Sequence, residues 1–134
     1  MEKHTIIETM PGSKLVGSQY EPLFKYFESR RASHNCFSVI AATYVTNDAG
    51  TGIVHQAPGF GEDDYATCIT AGLIEPGKAV VPIDSDGKFT SEVSDYVGQY
   101  IKDADKPIMA DLKKRGRMIN SGTIKHSYPF CWRS

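Results

Sequence analysis

Between Thr51 and Tyr65 the chain gathers the side chains best suited to chemistry: an imidazole at His55 and consecutive carboxylates at Glu62, Asp63 and Asp64, separated by Ala57-Pro58-Gly59-Phe60-Gly61. An ionised carboxylate pairs with an ammonium group, and a near-neutral imidazole can position water or a hydroxyl. Such a corner can hold a cationic or hydrogen-bonding ligand. The same residues admit a plainer reading, in which the carboxylates cap a helix on the positive end of its dipole and His55 is a satisfied core histidine. Spacing alone leaves both open.

Other constellations carry less. Cys68 with His55 as its base is conceivable as a nucleophile, but Cys68 falls on the apolar face of the helix expected after the carboxylates and reads as core. His126 and Cys131 could ligate a metal, yet no Cys-x-x-Cys or His-x-x-x-His accompanies them, so no metal is expected. Without a Gly-x-x-x-x-Gly-Lys loop there is no phosphate cradle, and no cofactor is expected either. Lys113-Lys114-Arg115-Gly116-Arg117 is the densest basic run. It reads first as a solvated helix end favoured by the negative dipole terminus, and second as a weak nucleic-acid phosphate contact through Lys113, Lys114, Arg115 and Arg117.

The elements that must position these groups follow from composition along the chain. Residues 36–46, rich in β-branched and aromatic side chains and closed by Asn47-Asp48-Ala49-Gly50, predict a strand and a turn. Thr51 to Gln56 predicts a second strand, antiparallel to the first. Pro58, Gly59 and Gly61 make the next stretch a loop, and a helix should start at Glu62 and stop near Gly72. Ala79–Ile83 and Lys88–Thr90 flank Asp84-Ser85-Asp86-Gly87, a hairpin signal. A further helix is expected over 106–115, capped by Asp105, with Pro107 in its first turn and Gly116 ending it, and the chain then looks extended from Met118 to Tyr128. Together these predict an α+β fold: an antiparallel, barrel-like sheet with a few short helices.

With 134 residues, 40% hydrophobic and 23% charged, the chain has the balance of one ordinary globular domain, and residues 1–134 are expected to form a single one that is monomeric. The net charge of −1 means that any nucleic-acid contact must be local. Cys36, Cys68 and Cys131 are too widely spaced for a disulfide framework and fit a reducing, cytoplasmic setting. The N-terminal residues do not read as a signal peptide, and no stretch approaches a membrane span, so no membrane partner is expected.

Taken whole, Gly50-Thr51-Gly52-Ile53-Val54-His55, then Ala57-Pro58, then Gly61-Glu62-Asp63-Asp64-Tyr65 resembles the inserted editing domain of isoleucyl-tRNA synthetases. His126-Ser127-Tyr128-Pro129-Phe130-Cys131-Trp132-Arg133 is similar to the family segment leading back to the synthetic core. Lys14-Leu15-Val16-Gly17, Tyr20-Glu21-Pro22-Leu23-Phe24 and the turn from Asp84 to Thr90 also resemble the family, so the likeness covers nearly the whole chain and is nearest to eukaryotic-type members. The resemblance implies that the carboxylate at Asp64 binds the α-ammonium of a misattached amino acid. It implies that His55 lines the pocket and orients the ester, and that Gly50, Thr51 and Gly52 join them in substrate binding. Asp63 is expected to be structural, since adjacent helical side chains diverge by about 100°.

What the resemblance implies about function is hydrolysis of valine wrongly esterified to isoleucine tRNA, with valyl-adenylate as a second candidate substrate. A hydrophobic pocket discriminates one methylene by only about 1–3 kcal/mol, this pair of amino acids being the standard worked case, so a second, smaller site must remove the error. The implied partners are the tRNA acceptor end and the rest of the synthetase chain; ATP would be used only by a synthetic core absent from these residues. The family's threonine-rich segment forms a second wall of the site, and no Thr-Thr-Thr-Pro run occurs here. The resemblance therefore implies a partial domain. It leaves an alternative in which the chain binds the acceptor end or a valine-like ligand without turnover, while a free-standing editing protein is disfavoured by the junction-like residues after His126.

Overall fold

The computed structural model describes residues 5–34, 36–48 and 51–123. Among them 3₁₀ turns at Gly12–Leu15 and Glu28–Arg30 precede the α-helices α1 (Arg31–His34) and α2 (Glu62–Thr70), and a 3₁₀ turn at Ser94–Tyr96 precedes α3 (Ile101–Lys114). The N-terminus of α2 lies at Glu62, and its first turn carries three carboxylates, whose charge suits the positive end of the helix dipole. Both longer helices close as their glycines dictate. Gly72 and Gly116 take φ of 70° and 67°, and the next residues donate back, Leu73 N–H to Cys68 O and Arg117 N–H to Leu112 O, each at 2.9 Å.

The expected antiparallel, barrel-like α+β sheet is not there. Among the described residues no strand forms, and pairing is confined to isolated antiparallel bridges, Gln19 with Ser38, Ile83 with Phe89 and Lys88 with Tyr100. Two local causes are visible. Phe37 holds φ at 61°, a left-handed kink at the start of the expected first strand, and the Val45 N–H turns back onto Ala42 O at 3.4 Å within it. In the expected second strand the Thr51 hydroxyl donates to Ile53 O at 3.0 Å and accepts from Ile53 N–H at 3.3 Å, occupying groups that a ladder would need. The Asp84–Gly87 turn does form, with Gly87 N–H donating to Asp84 O at 3.0 Å. Its flanks meet at one bridge rather than along a ladder.

Helix α3 also departs from expectation. It begins at Ile101, not Lys106, so Asp105 is an interior residue, and Pro107 sits inside the helix rather than in its first turn. The cause is an apolar stripe at helical spacing, Ile101, Ala104, Ile108 and Leu112, whose Ala104 is 0% exposed. Burial of that stripe outweighs the backbone bond that Pro107 cannot donate to Asp103.

Packing centres on aromatic rings. Phe24 stacks on Tyr26 at 5.5 Å between centroids and meets Tyr96 edge-on at 6.3 Å, while Phe89 lies 6.2 Å from Tyr96. Polar ties fix the same region: Tyr26 donates its hydroxyl to Asp95 at 2.7 Å, and Arg30 pairs with Glu92 at 3.1 Å. Burial first, and then the Asp95 hydrogen bond, push the Tyr26 phenol well above its ordinary range. Cys68, Val93, Tyr96 and Ala104 are the buried apolar residues among those described.

Candidate functional site

The three carboxylates of α2 separate by role. Glu62 and Asp63 are exposed, whereas Asp64 is half-buried and turned back onto the preceding loop. Its Oδ2 accepts the Ala57 N–H at 2.9 Å and its Oδ1 accepts the Tyr44 hydroxyl at 2.8 Å. Gly61 makes this fold-back feasible. A Cβ there would stand 2.8 Å from Asp64 Oδ2, closer than real contacts allow, so a side chain at this position would push the carboxylate out of its fold-back. Each carboxylate oxygen has two lone pairs, so Asp64 keeps acceptor capacity for an ammonium group after both bonds are made.

Tyr44 is the hinge of a longer network. Its oxygen also accepts from Gln56 Nε2, and burial followed by the Asp64 hydrogen bond pushes its phenol above the ordinary value. The phenol therefore keeps the proton it donates. Gln56 Oε1 is shut off from solvent and meets no hydrogen-bond partner among the described residues. Such an orphaned acceptor costs about 1–3 kcal/mol, which the arrangement around Asp64 must offset.

His55 stands on the other side of Gln56. It is exposed, not a core histidine, and lines a largely apolar cavity of about 1100 Å³ together with Gly52, Ile53, Val54 and Gln56. Phe24, Phe37, Phe89, Val93 and Tyr96 form much of the remaining wall. Thr51 and Asp64 are not among the lining residues, and Gly50 lies outside the described residues. Gln56 is thus the residue that belongs both to the cavity wall and to the Asp64 network. Sequence reasoning missed Tyr44 and Gln56: Tyr44 is 20 positions from Asp64, and no helical or strand period relates the two.

The remaining candidates resolve differently. Cys68 is 3% exposed, and burial first, then the Asp64 charge and Cys36, push its thiol up, away from the thiolate a nucleophile needs. Arg115 is engaged on three sides. It pairs with Asp111 at 2.5 Å, donates to Leu23 O at 3.3 Å and lies over the Phe24 ring at 5.0 Å. Arg117 pairs with Glu21 at 3.6 Å; all four cations of the run are exposed, and Lys113 and Lys114 are the two that make no ion pair among the described residues. Among the described residues no group of three or more His, Cys, Asp or Glu could hold a metal, and no helix is long and apolar enough to cross a membrane. His126 and Cys131, with the whole segment to Arg133, lie outside the described residues.

No family model matches the chain. Individual proteins do. The isoleucine–tRNA ligase of Tetrahymena thermophila is 53% identical over 131 residues, covering 98% of this chain and 12% of that protein. The cytoplasmic isoleucine–tRNA ligase of Caenorhabditis elegans is 52% identical over 130 residues, 96% of this chain and 11% of its own length. The chain belongs to the isoleucine–tRNA ligase family. A bacterial isoleucine–tRNA ligase, from Bdellovibrio bacteriovorus, is 51% identical over 133 residues, 99% of this chain and 12% of that protein. The chain therefore spans no more than 12% of the length of these curated relatives. The Asp64 clasp and the His55 wall are features of one segment of an isoleucine–tRNA ligase.

Proposed function

We propose that this segment contributes the editing site of an isoleucine–tRNA ligase, where valine wrongly esterified to isoleucine tRNA is hydrolysed and valyl-adenylate is a second substrate. The observation that carries the reading is Asp64, a carboxylate fixed by two donors with lone pairs to spare, linked through Gln56 to the cavity lined by His55 and Gly52. The substrate's α-ammonium pairs with Asp64. His55 then orients the terminal ribose or the attacking water. Water adds to the ester carbonyl carbon, the carbon–oxygen bond to the ribose breaks, and the proton passes to the released ribose hydroxyl. Water is the only co-reactant, so the step calls for no resident cofactor. The partners in this reading are the tRNA acceptor end and the rest of the synthetase chain. The setting is the cytoplasm, in keeping with the names of relatives such as the nematode enzyme.

The test is deacylation of valyl-tRNA(Ile) by the full-length protein carrying this chain. Asp64→Ala should lose about 2 kcal/mol or more of substrate binding, because a charged ammonium is left without its partner. Asp63→Ala should lose much less, its carboxylate being exposed. Equal losses, or an undiminished Asp64→Ala enzyme, would overturn the reading. If the full-length protein binds the charged acceptor end without releasing valine, the segment is a binding module and not a hydrolase.

A further inference from the structure

We propose that Tyr44 is a positioning residue of this site: its hydroxyl, steadied by Gln56, sets the orientation in which the Asp64 carboxylate meets the substrate's ammonium group. The proposal rests on the reading of Asp64 given above and adds the residue that makes that carboxylate a defined partner.

A single donor cannot define a carboxylate. The Ala57 N–H holds Oδ2 from within the same loop, at 2.9 Å, and leaves the group free to turn about that bond. Tyr44, arriving from a separate stretch of chain, holds Oδ1 at 2.8 Å and fixes the plane. The remaining lone pairs then point in set directions.

The direction of the proton is legible in Gln56. The Tyr44 hydroxyl has one hydrogen and two neighbours that could take it, the Asp64 carboxylate and the Gln56 amide oxygen. A hydrogen bond to a charged acceptor is the stronger one, so the hydrogen goes to Asp64 and Gln56 must present its NH₂ instead. That orientation leaves Gln56 Oε1 enclosed and without a partner among the described residues. The unpaired oxygen is what remains when Tyr44 is committed to Asp64. Because Gln56 also lines the cavity beside His55, the chain of bonds runs from the cavity wall to the carboxylate.

A purely structural role fits Tyr44 less well. Its side chain is 38% exposed, and it lies in a turn outside the aromatic cluster around Tyr96. Removing the hydroxyl alone should leave packing intact.

The experiment is a double-mutant cycle in the full-length protein, with Tyr44→Phe, Asp64→Asn and the double variant assayed for valyl-tRNA(Ile) deacylation and melted in parallel. Tyr44→Phe should raise KM about tenfold with kcat within about twofold, since the ammonium is charged in both ground and transition states. The double variant should be no worse than Asp64→Asn alone, because Tyr44 acts through that carboxylate. Additive losses, or a Tyr44→Phe enzyme with unchanged KM beside a crippled Asp64→Asn enzyme, would overturn the assignment of Tyr44. Unchanged kinetics in Asp64→Asn would instead overturn the reading of Asp64, and the role of Tyr44 with it.

Discussion

At the scale of single residues His55 lines the cavity, and Asp64 is joined to its wall through Tyr44 and Gln56. If His55 helps set the size limit for the substrate side chain, then His55→Ala in the full-length protein should let isoleucyl-tRNA be deacylated as well. The gain has a ceiling, because one methylene is worth only about 1–3 kcal/mol of discrimination. Deacylation of valyl- and isoleucyl-tRNA measured side by side decides it. An unchanged ratio in a variant with a normal melting curve removes His55 from any role in size selection. The sequence made His55 and Asp64 visible as residue types in a Gly-rich setting; the helical angle said only that Asp63 and Asp64 diverge, and the choice of Asp64 came from the family resemblance. It could not show that Asp64 folds back onto Ala57, because that depends on the missing Cβ of Gly61 and on Tyr44, 20 positions away.

Helices were legible where their ends are chemically marked, and strands were not. The acidic charge that favours a helix start at Glu62, and the glycines at 72 and 116, act locally, so the ends they mark appear in the structure where their types place them. A strand is a statement about a neighbour. Residues 36–46 and Thr51–Gln56 have the right side chains for one, but Phe37 kinks the first and the Thr51 hydroxyl captures its own backbone in the second. Helix α3 begins before the expected start at Lys106, because the stripe from Ile101 makes Pro107 an interior residue and not one of the first turn. Pro107→Ala should therefore restore a donor to Asp103 O and stabilise α3, by up to about 3 kcal/mol before the greater freedom of the unfolded chain is subtracted. A higher melting temperature with greater helical circular dichroism is the expected result. A lower one would mean that the proline ring packs more than it disrupts.

Over the whole molecule the surface is mixed in a particular way. Large apolar side chains such as Ile53, Val54 and Phe60 are 70%, 47% and 58% exposed around the site, while the chain's net charge is only −1. A polyanion meeting this segment would find no general positive field, and the cations at the end of α3 are the densest local group it could meet. Arg115 and Arg117 are already committed, to Asp111, Leu23 and Phe24 in one case and to Glu21 in the other. That prior commitment can be read as a count of counterions. Each phosphate neutralised by a lysine or arginine steepens the fall of log affinity with log salt concentration by about 0.7–0.9. If tRNA touches this end, Lys113→Ala and Lys114→Ala should each flatten that slope by roughly one such increment. Arg115→Ala should leave the slope alone and lower the melting temperature instead, and a slope that responds to Arg115 as it does to the lysines would show that the guanidinium gives up Asp111 and Phe24 to reach the nucleic acid.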